Sequence, residues 1–227
     1  MRGKFITFEG GEGTGKSTQA ALLALRLSSL GISVQVTREP GGSPGAEAIR
    51  YVLLSGAAKP LGPEAEAMLF AAARDDHVQQ TILPALAAGK WVICDRFADS
   101  TRVYQGVVGA VDRRLIKALE RVTIGVLQPD LTLVLDVPVE VGLMRASGRR
   151  RRASPDRFEA ENIEFHQKLR AAYLALAASE KERCVVIDAK APKQSVAKQI
   201  WEVVNVRLKP AAVQSSIRAP SHVHAQT

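Results

Sequence analysis

The feature that most constrains this chain is a glycine-rich loop close to its N-terminus. An apolar run, Phe5 to Phe8, precedes Gly10-Gly11-Glu12-Gly13-Thr14-Gly15-Lys16-Ser17, which completes the pattern G-x-x-x-x-G-K-[ST], and a helical run from Thr18 to Leu30 follows. Glycines allow backbone conformations in which successive N–H groups point at a phosphate. In this strand, loop and helix context the pattern predicts nucleoside triphosphate binding. The alternative is a flexible glycine turn with a solvated lysine.

The pattern also assigns a role to each polar residue of the loop. Lys16 is expected to bridge the β- and γ-phosphates, and the Ser17 hydroxyl to take one coordination position on Mg²⁺. The helix that begins there presents its positive end to the phosphates. We therefore expect ATP to be bound by one continuous set: Gly10, Gly11, Glu12, Gly13, Thr14, Gly15, Lys16, Ser17 and Thr18.

Length and composition favour one globular domain with a lid. The chain has 227 residues, of which 46% are hydrophobic and 24% charged, and no run of eighteen apolar residues interrupts it. Because Met1 to Lys4 lead directly into a core strand instead of a signal-peptide segment, we expect a cytoplasmic location. Cys94 and Cys184 lie in apolar runs and are expected to be inert core thiols.

The formal net charge of +8 does not by itself select a function. Clustered basic residues bind nucleic acid, but they also serve enzymes that act on small anions. Much of the excess lies in one segment that contains Arg145, Arg149, Arg150, Arg151, Arg152 and Arg157. We expect neither a nucleic-acid nor a membrane partner, because the other motifs fit a small-molecule site better.

Five short apolar runs alternate with helical segments and predict an α/β fold. They are nearly continuous in apolar character, as expected for parallel strands covered on both faces. The runs are Phe5 to Phe8, Ser33 to Thr37, Trp91 to Cys94, Leu131 to Leu135, and Val185 to Ile187. Ligands of such open sheets gather beyond the carboxyl ends of the strands, which is where Glu9, Arg38, Glu39, Asp95 and Arg96 fall.

Asp95 and Arg96 follow the third strand and are the strongest candidates outside the loop. Asp95 is placed to support Mg²⁺ or to orient Arg96, although it could instead cap a helix that begins near Ser100. Arg96 can hold a phosphate with two parallel N–H bonds, although a structural pair with Asp95 is the alternative.

Six motifs in order resemble those of bacterial thymidylate kinases, a family of P-loop nucleoside monophosphate kinases. They are Phe8-Glu9-Gly10 with the loop, Thr37-Arg38-Glu39-Pro40-Gly41-Gly42, Met68-Leu69-Phe70-Ala71-Ala72-Ala73-Arg74, Asp95-Arg96-Phe97-Ala98-Asp99-Ser100, Tyr104-Gln105-Gly106, and Pro129-Asp130-Leu131-Thr132-Leu133-Val134-Leu135-Asp136. The resemblance implies a three-layer α/β/α P-loop NTPase fold with a five-stranded parallel sheet and an arginine-rich lid. It also implies transfer of the ATP γ-phosphoryl group to dTMP, with Mg²⁺, by a homodimer.

The same resemblance implies a thymidylate site. Phe70 corresponds to the aromatic residue that stacks on thymine, and Arg74 to the residue that hydrogen-bonds the base. Tyr104 corresponds to the residue that disfavours a ribose 2′-hydroxyl. The full set expected to bind dTMP is Glu9, Arg38, Glu39, Pro40, Arg50, Phe70, Arg74, Arg96, Ser100, Thr101, Tyr104 and Gln105. Without the resemblance, Phe70 would be interpreted as a core residue.

The basic run resembles the mobile lid of the family, at about residues 145–157. Some members carry a catalytic basic residue in the loop at the position of Glu12, and others supply that charge from the lid. Because Glu12 cannot stabilise negative charge, the hypothesis is that Arg149, Arg150, Arg151 or Arg152 acts as an arginine finger, alongside Lys16 and Arg96 as catalytic residues. A solvated basic loop is the alternative.

Two further expectations concern the chain end and rival functions. Residues 1–208 are expected to form the domain and residues 209–227 a disordered tail, because the tail lacks periodicity. Another nucleoside monophosphate kinase is the nearest rival function, followed by a nucleic-acid-dependent ATPase. A GTPase is disfavoured, because no Asn-Lys-x-Asp element for guanine is present.

Overall fold

The protein is described here by a computed structural model, which covers residues 2–149 and 157–211 with the side chain of Arg149 excepted. Five strands form one sheet in the order β2-β3-β1-β4-β5, and every neighbouring pair is parallel. Their bounds are β1 Phe5–Glu9, β2 Val34–Arg38, β3 Trp91–Asp95, β4 Leu131–Asp136 and β5 Cys184–Asp188. The five predicted strands and the α/β fold class are confirmed.

Helices connect the strands. Within the described residues they are α1 Lys16–Ser29, α2 Pro44–Leu54, α3 Pro63–His77, α4 Leu83–Ala87, α5 Ala98–Thr101, α6 Arg113–Thr123, α7 Val139–Arg149, α8 Ile163–Ser179 and α9 Lys193–Leu208, with a short 3₁₀ turn at Lys59–Leu61. Two wider π-helical segments, Val78–Ile82 and Arg102–Val108, continue α3 and α5. None of these helices has both the length and the apolar character needed to cross a membrane.

The sheet is apolar on both faces because helices cover both. On one face Ile6 and Phe8 of β1 join a cluster with Leu23 and Leu27 of α1. On the other face Phe5 packs in a separate cluster that includes residues of α4 and of the π-helical segment before it. Successive side chains of a strand point to opposite faces, so an almost continuous apolar strand requires this three-layer arrangement.

Backbone hydrogen bonds join the carboxyl ends of β1, β2 and β3. Arg96 N–H donates to the carbonyl of Phe8 at 2.9 Å, and Glu39 N–H donates to that of Asp95 at 2.9 Å. The segments after β1, β2 and β3 therefore meet at one edge of the sheet, as the sequence predicted.

The lid and the tail are only partly within the described residues. Arg145 lies in α7, where its guanidinium donates to the carbonyls of Ala189 at 2.8 Å and Lys190 at 3.0 Å. Residues 150–156 and 212–227 lie outside the described ranges, so the predictions for the lid and for the tail remain predictions. Helix α9 ends at Leu208, where the periodic sequence also ends.

Candidate active site

The loop between β1 and α1 is shaped by glycines in the left-handed region of backbone space. Gly10 has φ of 128°, Gly13 of 68° and Gly15 of 94°. A Cβ at Gly13 would lie 1.8 Å from the carbonyl oxygen of Gly142 in α7, so the loop and that helix touch through backbone atoms. Only glycine meets both requirements at position 13, the conformation and the close approach.

Lys16 begins α1 and is buried, with 7% of its surface exposed. Its Nζ donates to the carbonyls of Gly10 at 3.1 Å and Gly11 at 2.7 Å, so the ammonium group is held inside the loop. Burial lowers its pKa to about 8, with a further contribution from the nearby positive charge of Arg96. The alternative of a solvated lysine on a flexible turn is therefore wrong.

Glu12 extends its carboxylate away from the loop toward the opposite half of the cleft. Its Oε1 accepts from Arg96 Nη2 at 2.5 Å and from the Tyr104 hydroxyl at 2.8 Å. Burial alone would raise its pKa, but the charges of Arg96 and Lys16 outweigh that effect and bring it to about 2. Glu12 is thus an ionised bridge between the phosphate loop and the wall that carries Tyr104.

Arg96 occupies the centre of the cleft. It has φ of 70°, an uncommon conformation for a residue other than glycine, and its Nη1 donates to the carbonyl of Gly10 at 3.1 Å. Its ion pair within the described residues is with Glu12, not with Asp95 as the structural alternative required. Strained backbone held by its surroundings is a common property of functional residues.

Glu9 ends β1 and lies fully buried behind the cleft. It accepts hydrogen bonds from the Phe97 N–H at 2.8 Å, the Ser100 N–H at 3.2 Å and hydroxyl at 2.7 Å, and the Tyr173 hydroxyl at 2.9 Å. Burial, followed by the charge of Asp99, raises its pKa to about 7. Glu9 therefore holds the start of α5 against β1 and is a support for the site.

A buried ion pair supports the base-binding wall that the sequence predicted. Arg74 Nε donates to Glu39 at 2.8 Å, and Arg74 Nη2 donates to the Thr101 hydroxyl at 2.9 Å. His77 Nδ1 lies 3.1 Å from the second oxygen of Glu39. Arg74 is thus fixed on three sides, since its Nη2 also donates to the carbonyl of Phe97 at 3.2 Å.

The segment after β2 lies at the outer rim. Arg50 Nη1 donates to the carbonyl of Pro40 at 2.5 Å, and Arg38 pairs with Glu47 at 2.9 Å. The Glu39–Pro40 peptide is cis. Both arginines therefore border the opening of the cleft, where an anionic group of a ligand can reach them.

Asp95 and Ser17, the two predicted metal ligands, are in direct contact. The Ser17 hydroxyl donates to Asp95 Oδ2. Asp95 does not cap the helix that follows, because α5 begins at Ala98 and Phe97 occupies its N-cap position. A hydroxyl and a carboxylate are hard oxygen donors of the kind that Mg²⁺ prefers, so these residues fit that ion.

One cleft of about 250 Å³ collects almost all of the predicted site residues. Glu9 lies behind it, and Arg150, Arg151 and Arg152 fall outside the described residues, as does the side chain of Arg149. The predicted residues that line the cleft are Glu12, Gly13, Gly15, Lys16, Ser17, Arg38, Glu39, Pro40, Arg50, Phe70, Arg74, Asp95, Arg96, Ser100, Thr101, Tyr104 and Gln105. The remaining loop residues, Gly10, Gly11, Thr14 and Thr18, belong to the same turn and the start of α1.

Comparison with known proteins agrees with this geometry. The family model described as thymidylate kinase matches residues 8–200. A thymidylate kinase of Nitrobacter winogradskyi is 63% identical over 207 residues, covering 91% of this chain and 90% of that protein. One of Bradyrhizobium sp. strain ORS 278 is 60% identical over 215 residues, covering 95% of each. The chain belongs to the thymidylate kinase family.

A solved structure extends the agreement to the fold. The crystal structure of thymidylate kinase from Ehrlichia chaffeensis superposes with a TM-score of 0.72 at 33% identity, covering 90% of this chain and all of that one. The family and the P-loop NTPase fold predicted from the six motifs are therefore confirmed.

Several residues that line the cleft were not predicted from the sequence. Phe158 lines the cleft, with its ring centroid 5.3 Å from that of Tyr104 and 6.2 Å from that of Phe70. Leu54 and Glu159 also line it. The available signal for Phe158 was an aromatic residue directly after the basic run, but nothing local indicates which wall it meets.

Proposed function

We propose that this chain transfers the γ-phosphoryl group of ATP to dTMP, giving dTDP and ADP, a step of dTTP biosynthesis for DNA synthesis. The observation that carries the proposal is that the phosphate loop and the Phe70–Tyr104 wall face a single cleft with Arg96 between them. Two anionic nucleotides can meet there head to head, the donor on the loop and the acceptor on the wall.

The donor is held by the loop. Successive N–H groups around the left-handed glycines, together with the N-terminus of α1, bind the phosphates of ATP. Lys16 exchanges its contacts with the loop carbonyls for the β- and γ-phosphate oxygens. With a pKa lowered only to about 8, it is predominantly charged at neutral pH and neutralises those oxygens.

The acceptor is held by the wall and the rim. Phe70 presents an aromatic face to thymine, while Arg74, Thr101 and Gln105 supply polar contacts to the base edge. Arg96 and Arg50 hold the acceptor phosphate. Tyr104, fixed through its hydroxyl to Glu12, occupies the space under the sugar and favours a deoxyribose.

The chemistry needs positioning and charge neutralisation more than proton transfer. The phosphate of dTMP is an ionised nucleophile, so an in-line arrangement with the γ-phosphoryl group accounts for most of the rate. No general base is required. Ser17 and Asp95 would hold Mg²⁺, which when bound supplies positive charge to the triphosphate oxygens.

The lid at residues 145–157 is part of the proposal. Glu12 already offsets the charge of Arg96, so an additional cation is needed where negative charge develops. Helix α7 touches the loop at Gly13 and ends at Arg149, so the basic run follows directly after a helix that packs on the phosphate loop. Replacing Arg149, Arg150, Arg151 and Arg152 by Ala, singly and together, tests this role through kcat; unchanged rates in all five variants would refute it.

A homodimer is proposed from an apolar surface. Helix α3 packs against both α2 and α6. These three helices expose the apolar side chains of Tyr51, Met68 and Val122, and Tyr51 is 78% exposed. Sedimentation of the wild type and of a Tyr51→Lys variant measures this: a dimer that the substitution weakens is expected, and a wild-type monomer contradicts the proposal. The cytoplasmic location stays a prediction.

A comparison of phosphoryl acceptors tests the proposed function. ADP formation is followed in a coupled assay with Mg²⁺, ATP and one acceptor at a time: dTMP, dUMP, CMP, UMP or GMP. The expected result is the highest kcat/KM for dTMP. A preference for another monophosphate would favour the rival kinase, and hydrolysis stimulated by oligonucleotides would favour a nucleic-acid-dependent ATPase.

A further inference from the structure

A buried ion pair lies beneath the helix that carries the acceptor-side residues. Arg183 Nη1 donates to Asp99 Oδ2 at 2.6 Å, and Arg183 Nη2 donates to Asp99 Oδ1 at 2.8 Å, a bidentate arrangement. The side chains are 3% exposed for Asp99 and 13% for Arg183. Two parallel charge-assisted bonds fix direction as well as distance.

Arg183 is itself anchored to the sheet. It directly precedes β5, and its Nη1 donates to the hydroxyl of Thr132 in β4 at 2.8 Å. The backbone N–H of Thr132 donates to the carbonyl of Arg183 at 2.8 Å, and the Thr132 hydroxyl lies 2.8 Å from that of Thr7 in β1. The guanidinium is therefore fixed to the rigid sheet, and Asp99 is fixed to the guanidinium.

Further charges complete the network around the pair. Arg183 Nε donates to Glu180 at 2.7 Å, and Arg102 Nη1 donates to Asp99 at 3.1 Å. Arg102 also forms a bidentate pair with Glu120 of α6, at 2.6 and 3.0 Å. Asp99 is thus held by two arginines, Arg102 from the π-helical segment that continues its helix and Arg183 from the residue that precedes β5.

Asp99 and Arg183 do not line the cleft, yet the residues that follow Asp99 do. Ser100 and Thr101 are its immediate neighbours, and Tyr104 and Gln105 lie in the π-helical segment that continues α5. A tilt of this short helix would move all four side chains together.

We propose that Asp99 and Arg183 are a positioning pair that sets the orientation of the acceptor-binding helix and thereby the affinity for the pyrimidine nucleoside monophosphate. The inference rests on the proposed function and adds two residues that touch neither nucleotide. The donor loop is shaped by its own glycines and by α7, so its affinity for ATP does not depend on the pair.

Steady-state kinetics on four variants test the inference: Asp99→Asn, Arg183→Met, the double variant, and Arg183→Lys. The matched control is Arg207→Met, because among the described residues Arg207 donates to the backbone carbonyls of Lys181 and Glu182, in the turn that precedes Arg183, and to no carboxylate. KM for dTMP, KM for ATP and kcat are measured separately, and rates are normalised to the folded fraction.

We expect a KM for dTMP raised about tenfold in Asp99→Asn and Arg183→Met, with KM for ATP within about twofold of wild type, since misplaced contacts of about 1 Å are costly. Arg183→Lys restores part of the loss. The double variant is no worse than the worse single variant, because both substitutions break one interaction. Arg207→Met behaves as wild type.

Two results separate failure of the inference from failure of the proposed function. A wild-type protein that makes no dTDP overturns the proposed function. An active wild type whose folded variants keep a wild-type KM for dTMP, or raise both KM values equally, overturns the inference alone. If a single substitution prevents folding, the double variant and Arg183→Lys decide, since they leave no buried charge without a partner of opposite sign.

Discussion

The two halves of the cleft differ in whether backbone or side chains form them. The donor half is one run of consecutive residues, and backbone conformation at Gly10, Gly13 and Gly15 gives it its shape. The acceptor half is assembled from side chains of distant segments, held by buried ion pairs such as Arg74–Glu39 and Asp99–Arg183. A site made of backbone can be identified from a short pattern, whereas a site made of paired side chains needs the folded chain.

The halves are joined by one carboxylate. Glu12 belongs to the loop by sequence, but its hydrogen-bond partners, Arg96 and Tyr104, belong to the acceptor half. The difference between the halves leads to predictions in which each is altered separately.

The largest effect is expected for Lys16→Met in the donor half. Loss of the positive charge at the β- and γ-phosphates should lower kcat about 10³-fold, similar to the removal of a preorganised transition-state contact. The free energy of unfolding should change little. The lowered pKa of Lys16 means that burying its charge is costly, so removing the charge offsets the loss of its contacts. The coupled assay and denaturant unfolding measure both quantities, with the exposed Lys90→Met as control; a kcat within tenfold of wild type would contradict the role.

Arg74→Met, in the acceptor half, should mainly lower the stability of the fold, whereas Lys16→Met should mainly lower kcat. The substitution removes Arg74 from the buried Glu39 carboxylate and leaves His77 beside it, and breaking such a pair costs about 3 kcal/mol in the free energy of unfolding. The double variant Arg74→Met/Glu39→Gln should recover part of that loss. Urea unfolding tests this, and equal stabilities of wild type and Arg74→Met would show that the pair is not structural.

Gly13→Ala should perturb the donor half alone. A Cβ would lie 1.8 Å from the Gly142 carbonyl oxygen at a left-handed φ, and strain of about 2 kcal/mol corresponds to roughly a 30-fold rise in KM for ATP. KM for dTMP should stay within about twofold. Gly56→Ala is the matched control, since Gly56 has φ of 83° but, apart from its chain neighbours, no atom of the described residues lies within 4 Å of its Cβ position. Equal effects on both KM values would mean that the halves are not independent.

The smallest effect is a difference in pH dependence between Glu9, at the end of β1, and Glu12, in the loop that follows. The pKa of Glu9 rises from 4.5 to about 7, so the unfolded chain releases this proton first and stability is lost as pH rises through that window. The pKa of Glu12 falls to about 2, so its contribution is complete above pH 4.5 and lost only toward pH 2.

Unfolding of Glu9→Gln and Glu12→Gln between pH 5 and 8 measures this difference. Relative to wild type, Glu9→Gln should gain stability as pH rises, whereas the difference for Glu12→Gln should stay constant. A constant difference for Glu9→Gln would contradict the raised pKa.

The sequence predicted the sheet well because each strand is a local apolar run. The five strands begin and end within one residue of their predicted bounds, and Asp95 and Arg96 lie at the carboxyl end of β3 as expected. The loop was equally predictable, because its conformation depends on its own glycines. Phe70, Arg74 and Tyr104 were found through family resemblance, and without it Phe70 would have been interpreted as a core residue.

Other features depend on contacts between distant segments. Thr101 and Gln105 were predicted to bind dTMP, and both line the cleft, but the segment Arg102–Val108 that positions Gln105 is π-helical, which the sequence did not indicate. The partners of Glu12 and the packing of Phe158 on Tyr104 join residues far apart in the chain. No periodicity or spacing encodes such pairs.

Transfer of labelled phosphate tests the central claim most directly, that one cleft brings ATP and dTMP together head to head. The protein is incubated with Mg²⁺, ATP labelled in its γ-phosphoryl group, and dTMP, and the products are separated. The account predicts that the label appears in dTDP, in an amount equal to the ADP formed. Label found only in inorganic phosphate, with dTMP unchanged, would contradict it.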